Sequence, residues 1–311
     1  ENSATRLELF AKCACAHFLS YGLELKERTA YEFNAMDMGN VLHSGLERFA
    51  RHIKEQGVEW DEISLEEMEK LADSCVEEAV DFYGNTVLQS DARNAYMVNR
   101  VKRMIRRTVW ALAKQMEQGE FKPSRFEVSF AMADSLESVN IALSEEETMK
   151  LKGRIDRVDV CEDSENVYVK VIDYKSGSTA FDLVALYHGL QLQLVLYLNA
   201  AMELEQRAHP DKNVLPAGIF YYNIKDPIVD CVEKESEESL NQRLLKQLRM
   251  NGLASADPEI LKRLDKGLEE KGVSSNSIPV SINKSGGLSK TSSAVDEEHF
   301  ELVSGYVKHK I

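Results

Sequence analysis

The sequence contains no apolar run approaching the roughly 20 residues needed to cross a bilayer, so a membrane partner is not expected. Its first residues, Glu1-Asn-Ser-Ala-Thr-Arg6, have neither the basic start nor the apolar stretch of a secretory signal. No Gly-x-x-x-x-Gly-Lys-Ser/Thr loop occurs, which excludes an ATP motor within this chain. Cysteine is sparse. The five thiols Cys13, Cys15, Cys75, Cys161 and Cys231 are odd in number and scattered, which argues against a disulfide framework and for a cytoplasmic protein. None of them has zinc-finger spacing, since a single residue separates Cys13 from Cys15.

Positive charge is also short. With 38 Lys and Arg against 52 Asp and Glu, the formal net charge is -14, so the overall field does not attract nucleic acid. A local basic track exists nonetheless. Arg93, Arg100, Lys102, Arg103, Arg106 and Arg107 fall within one stretch that holds no acid. Arg100, Arg103 and Arg107 lie at three- and four-residue spacings and share one face of a predicted helix, with Val101, Ile105 and Val109 turned inward. Such a face is either an ordinary solvated surface or a path for phosphates.

What remains is an ordinary globular composition, 43% hydrophobic and 29% charged, over a length of 311 residues that suits one large domain or two smaller ones. Helical spacing predicts helices at about 5–20, 37–53 (with Asp37 as N-cap), 64–84 and 92–117, so residues 1–120 form a helical part. After Pro123 the pattern turns to strands at 126–130, 139–142, 150–160 and 167–174, with Glu162-Asp-Ser-Glu-Asn166 as the turn between the last two. A long helix over about 183–204 and a strand at Gly218-Ile-Phe-Tyr-Tyr222 complete a sheet core spanning 121–225. A further helix fits 236–250, and a last one starts at about Asp296. Between them, about 254–294 is rich in Ser, Lys, Gly and Asn and reads as a long, partly mobile excursion. There is no internal repeat, and 1–311 reads as a single domain. The missing initial Met and the unfinished last helix suggest a piece of something longer.

The chemistry concentrates in two short motifs. Gly153-Arg-Ile-Asp156 is followed, 17 residues after its Asp, by Asp173 in Ile172-Asp-Tyr-Lys-Ser-Gly177. Alternate strand residues share a face, so Asp173 and Lys175 point the same way, and a hairpin through 162–166 brings Asp156 alongside. Converging carboxylates suit Mg²⁺ or Mn²⁺, and a lysine beside them can act on a water or offset phosphate charge. Asp-x-Lys alone is common and usually a solvated or cross-strand ion pair. Here Asp173 ends an apolar strand, where a bare carboxylate is costly unless paired or metal-bound. Gly39-Asn-Val-Leu-His43 adds a histidine beside the buried stripe of its helix, and Gln193 and Tyr197 lie four apart on another.

In this order, His43, Gly153–Asp156, Ile172–Gly177 and Gln193-x-x-x-Tyr197 resemble the motifs of RecB-family nucleases of the PD-(D/E)xK type. The resemblance covers nearly the whole chain and extends to Phe10-Ala-Lys-Cys-Ala-Cys-Ala-His-Phe18 and Gly218–Tyr222, as in AddB-like nuclease domains. It implies an α/β fold with a restriction-endonuclease-like core, a central mixed sheet flanked by helices. It also implies Asp156, Asp173, His43 and the backbone carbonyl of Tyr174 as metal ligands. Lys175 would act on the attacking water, and Gln193 and Tyr197 would help hold the DNA strand. The partners implied are DNA and an AddA-like helicase–nuclease, in double-strand-break repair, with digestion of the 5′-ended strand. AddB-like domains also carry an iron–sulfur cluster on one cysteine before the core and three closely spaced ones after it. Cys13 matches the first, and no trio follows. Either the ligands lie beyond Ile311 or this variant lacks a cluster, and in both cases this chain should hold none. Cys15 is expected as a small core residue.

The leading expectation is therefore a Mg²⁺-dependent exonuclease acting on single-stranded DNA. The alternative is a catalytically idle DNA-binding and scaffolding module, which would have no need of an intact Asp156, Asp173 and Lys175. A third, a hydrolase of some other substrate, fits the basic stretch 93–107 less well.

Overall fold

A computed structural model describes residues 2–26, 35–60, 62–84, 92–130, 136, 140–142, 148–230 and 236–311. A two-residue strand β1 (Asn2–Ser3) leads into helices α1 (Ala4–Lys12) and α2 (Ala14–His17), and the chain continues in a π-helical turn at Phe18–Gly22. Three long helices follow, α3 (Ala35–Gln56), α4 (Leu65–Gly84) and α5 (Ala92–Glu117). The strands are β2 (Lys122–Ser129), β3 (Asn140–Ala142), β4 (Thr148–Lys152), β5 (Arg154–Glu162) and β6 (Asn166–Lys175). Then come α6 (Leu183–Tyr187), α7 (Gln193–Ala208), β7 (Asn213–Asn223), α8 (Glu237–Gln247), β8 (Asn251–Ser255) and α9 (Pro258–Leu264). A short β9 (Ala294–Val295) and α10 (Glu297–Lys310) finish the chain.

Among the described residues the main sheet has six strands in the order β2-β5-β6-β7-β8-β9. It is mixed: β5 and β6 form the expected antiparallel hairpin, while β6 and β7 run parallel, with α6 and α7 in the crossover. Both faces are covered, and the alternation along β6 shows why. Tyr168, Ile172 and Tyr174 join a core with Leu42, Leu46, Phe49 and Ile53 of α3, whereas Val167, Val169 and Val171 join one with Leu194, Leu198 and Ala201 of α7. The helical face also holds a buried ion cluster. Asp159 sits between Arg157 (2.5 Å) and Lys170 (2.9 Å), and none of the three reaches solvent appreciably.

Four expectations need correction. The first helix is not continuous, because Cys13 takes an extended backbone that separates α1 from α2. Phe10 and Phe18, which helical spacing with Leu7 and Ala14 would set on one buried stripe, are exposed. Helix α3 already begins at Ala35, which puts Asp37 in its first turn rather than at the cap. The long helix expected over 183–204 is two. Gly189, at φ 78°, closes α6 as Leu190 N donates to Ala185 O and Gly189 N to Leu186 O, a left-handed C-terminal cap. Finally, 254–294 is no structureless excursion. It supplies the end of β8, all of α9 and the start of β9, and buries Ile278 and Val280. Its serines mislead because they serve the fold: Ser275 Oγ donates to Asp265 Oδ2 (2.5 Å) and accepts from Ser277 N and Ile278 N. No helix among the described residues is long and apolar enough to cross a membrane.

Candidate active site

The sheet positions its charged residues at one end. Asp173 and Lys175 occupy alternate positions at the carboxyl end of β6, both turned toward the α7 side with Tyr221 of the parallel neighbour β7. Lys175 Nζ lies 2.5 Å from Asp173 Oδ2 and donates to Gln193 Oε1 at 3.0 Å. Asp156, from β5, accepts a 2.8 Å hydrogen bond from the backbone N–H of Tyr174, so the hairpin does bring it alongside the β6 pair. From the opposite face of the sheet, α3 carries His43 into the same end. Its Nδ1 stands 3.3 Å from Asp156 Oδ2.

One residue of this cluster was missed by sequence reasoning. Glu127, in β2, brings its carboxylate to His43 and Asp156, and one donor atom from each of the three lies within 4.8 Å of the others. The Glu127 side chain is only 5% exposed, with half-exposed Arg154 against it. Its backbone φ of 49° is left-handed, a conformation that costs a non-glycine residue about 1–3 kcal/mol and tends to persist at functional sites. The flanking pairs Phe126–Arg157 and Val128–Ile155 put Glu127 across from Asp156, two like charges facing each other on adjacent strands. The signal was an acid between Phe126 and Val128, legible only once β2 is known to border β5.

The electrostatics are those of crowded, buried acids. Burial raises the carboxyl of Glu127 to about 7, aided by the charge of Asp156 and opposed by Arg154. Burial and Asp156 likewise push Asp173 well above the ordinary carboxylate range, against the pull of Lys175. At His43 burial opposes protonation, but the hydrogen bond and charge of Asp156, with Glu127 and Asp173, raise its pKa on balance. Crowded, buried acids whose charges the nearby cations only partly offset hold protons, whereas a divalent cation would let them ionise together. Imidazole nitrogen plus carboxylate oxygens is a donor set that fits such an ion.

The other expected residues are placed as follows. Gln193 and Tyr197 share one face of α7, but their polar atoms are engaged within the protein. Gln193 Nε2 donates to Tyr197 Oη at 2.8 Å, and the Tyr197 ring is buried against Phe130. Arg100 is exposed. Arg103 and Arg107 both reach Asp226, at 3.3 and 3.9 Å, beside a cleft of about 540 Å³ that Trp110 and Ile228 also line. Val101, Ile105 and Val109 do pack inward.

Cys13 is exposed, its Sγ accepting from Ala16 N at 3.5 Å. Cys15 is exposed too, contrary to the expected core position, while Cys75 and Cys161 are buried. Cys231 lies outside the described residues. These thiols do not fit an iron–sulfur cluster, which needs about four converging ligands. A β-carbon at Gly189 would lie 3.3 Å from Ala11 Cβ and 3.5 Å from Lys310 Cε, so the approach to Cys13 and the last turn of α10 meet there.

A mixed sheet with acids, a histidine and a lysine gathered at the end of a central hairpin is a donor arrangement that could hold a divalent ion. The sequence profile of the PD-(D/E)XK nuclease superfamily matches residues 1–300, and the chain belongs to that superfamily. It is also similar to curated AddB proteins, each named as a subunit of an ATP-dependent helicase/deoxyribonuclease. The one from Lachnoclostridium phytofermentans is 42% identical over 98% of this chain and 26% of its own length. Those from Caldanaerobacter subterraneus subsp. tengcongensis and Alkaliphilus oremlandii are 39% and 36% identical, over 100% and 99% of this chain and 26% of their own lengths. The chain thus spans about a quarter of the length of these relatives.

Proposed function

We propose that this chain is a Mg²⁺- or Mn²⁺-dependent deoxyribonuclease centre that hydrolyses single-stranded DNA in the cytoplasm. It would work within a two-subunit helicase–nuclease, with an AddA-like partner, in double-strand-break repair. The observation that carries the reading is the convergence of His43, Glu127, Asp156 and Asp173 with Lys175 at the end of β6. The names of the relatives supply the helicase and DNA context.

His43, Asp156 and Asp173, with the carbonyl of Tyr174, would hold the ion, and Glu127 completes the acidic wall. A bound divalent ion supplies Lewis-acid polarisation of the phosphate and makes water more acidic. Lys175 does the rest of the work at the scissile group. Its ammonium, fixed between Asp173 Oδ2 and Gln193 Oε1, directs donors toward the charge that develops on phosphate oxygens and orients the attacking water. The side chains of Gln193 and Tyr197 keep that ammonium in place and border the strand. Arg100, Arg103 and Arg107 offer a second contact with phosphates.

The test is cleavage of linear single-stranded DNA labelled at either end, with and without Mg²⁺, by wild type and Asp173→Ala. Metal-dependent cleavage that falls by about a thousandfold or more in the variant is expected. The order in which the two labels are released gives the polarity. A wild type as inert as Asp173→Ala would leave only an idle DNA-binding module.

A further inference from the structure

Helix α7 begins without a cap of its own. The residue at its N-cap is Leu192, whose side chain accepts no hydrogen bond, and no acid lies in the first turn. The first backbone N–H groups of a helix have no partner within it, and the helix dipole concentrates positive charge there. The missing acceptor arrives from the other end of the chain. Glu8 Oε1, on α1, accepts from Leu192 N at 2.8 Å and from Gln193 N at 3.2 Å. Gln193 in turn presents its own Oε1 to Lys175 Nζ at 3.0 Å and donates through Nε2 to Tyr197 Oη at 2.8 Å. Two hydrogen bonds through Gln193 therefore connect the first helix to the ammonium beside Asp173.

We propose that Glu8 is a positioning residue for Lys175: by supplying the cap that α7 lacks, it fixes Gln193 and through it the lysine. The inference rests on the reading of this site as a nuclease centre. Docking of α1 then becomes part of assembling the active site. A displacement of α1 would reach the reacting groups without touching a metal ligand. The burial of the carboxylate fits the role, since burial raises its pKa while the Gln193 and Leu192 amides and the Lys175 charge hold it back. An acid so placed has structural work to do. The residues that enter α7 offer no local cap, because Gln191, the one polar side chain at 190–192, accepts from Asp182 N and donates to Ala180 O.

The experiment compares Glu8→Ala, Glu8→Gln and Glu8→Asp in single-turnover cleavage with Mg²⁺, and in strand binding with Ca²⁺ present instead. Glu8→Ala should slow cleavage by about tenfold to a hundredfold, the scale of a misplaced catalytic group, while strand affinity changes less than about twofold. Glu8→Gln keeps an acceptor oxygen at the same reach and should stay within about threefold of wild type. Glu8→Asp, shorter by one methylene, should resemble Glu8→Ala and serves if that variant does not fold. Adding Gln193→Ala to Glu8→Ala should cost nothing beyond Gln193→Ala alone, because both act along one path. Multiplying losses, or a Glu8→Ala enzyme at wild-type rate, would overturn the proposal. Two readouts are independent of cleavage and judge the link even if wild type proves inert. In Glu8→Ala the Leu192 and Gln193 amides should exchange hydrogen about tenfold faster, and Lys175 should react faster with an amine-acylating reagent. If neither changes, Glu8 does not position Lys175.

Discussion

Asp156 Oδ2 accepts a 2.8 Å hydrogen bond from the backbone N–H of Tyr174 and stands 3.3 Å from His43 Nδ1. One oxygen thus ties strand β5 to its neighbour β6 and to helix α3, which arrives from the far side of the sheet. Removing that oxygen has two separable effects. Asp156→Asn keeps an acceptor for Tyr174 and should fold normally, yet lose about a thousandfold or more in cleavage. Asp156→Ala should lose the same activity and also about 1–3 kcal/mol of stability, the cost of leaving a buried N–H unsatisfied. Chemical denaturation of the two variants side by side checks this. Equal stabilities would mean that the contact contributes nothing.

The raised pKa values predict how the metal-free protein responds to pH. For Glu127 and Asp173 the folded state holds its protons more tightly than the unfolded chain, because burial and Asp156 disfavour the charged forms. Their contribution to stability is complete below the ordinary carboxylate range and fades as pH rises through about 7 for Glu127. His43, also raised, contributes in the same direction, with its share lost above the usual imidazole range. Stability without metal should therefore fall between about pH 5 and 8. Glu127→Gln should flatten the fall. Added Mg²⁺ should raise the melting temperature more at pH 8 than at pH 5, since the ion competes with protons for the same oxygens. A Mg²⁺ effect independent of pH would contradict the assignment.

Lys175 should matter to the reaction more than to the ion. Its ammonium contacts Asp173 and Gln193 and cannot itself ligate a cation. In Lys175→Ala, cleavage should drop by at least about a hundredfold. Divalent-ion affinity by calorimetry should remain within a few-fold of wild type or tighten as repulsion falls. Loss of both together would recast the lysine as a structural counter-ion that holds Asp173 in place.

Much of this centre was legible in the sequence because strands encode direction. The period of two placed Asp173 and Lys175 on one face, and the acidic turn at 162–166 brought Asp156 beside them. The β5–β6 pairing from Arg157–Ile172 to Glu162–Val167 bears this out. Glu127 was not legible, since its role depends on which strand borders β5 and on a left-handed backbone that no alternation announces. Glu8 was hidden for a similar reason: its partners lie 184 and 185 residues away along the chain. The break at Gly189 could have been read, because a glycine after Tyr187-His188 is an ordinary helix stop. The segment 254–294 misled because its polar groups are satisfied within the fold, as Ser275 is by Asp265 and Ser293 by the carbonyl of Gly252, a property of geometry and not of composition.

The basic face of α5 yields the last prediction. Arg103 and Arg107 sit at one wall of a cleft with Trp110; Glu69 and Glu237 also line it, and Asp226, just beyond the end of β7, is the acid that both arginines reach. Since Asn223 pairs with Lys175, that loop leaves the sheet at the same end as the catalytic cluster. A strand leaving the site could therefore pass from one to the other. If it does, Asp226 acts as a brake, cancelling part of the charge that phosphates would meet. Asp226→Asn should then tighten single-strand binding and steepen its dependence on salt. Changing Arg100, Arg103 and Arg107 to Ala should flatten that dependence by about two in the logarithmic slope, at roughly 0.7 per phosphate contact. Titrations of a fluorescent oligonucleotide across a range of salt, with Ca²⁺ to prevent cutting, give both slopes. Opposite shifts in the two variants place phosphates in this cleft. Unchanged slopes in both would make it a solvated helix face braced by Asp226, and DNA would have to approach from another side.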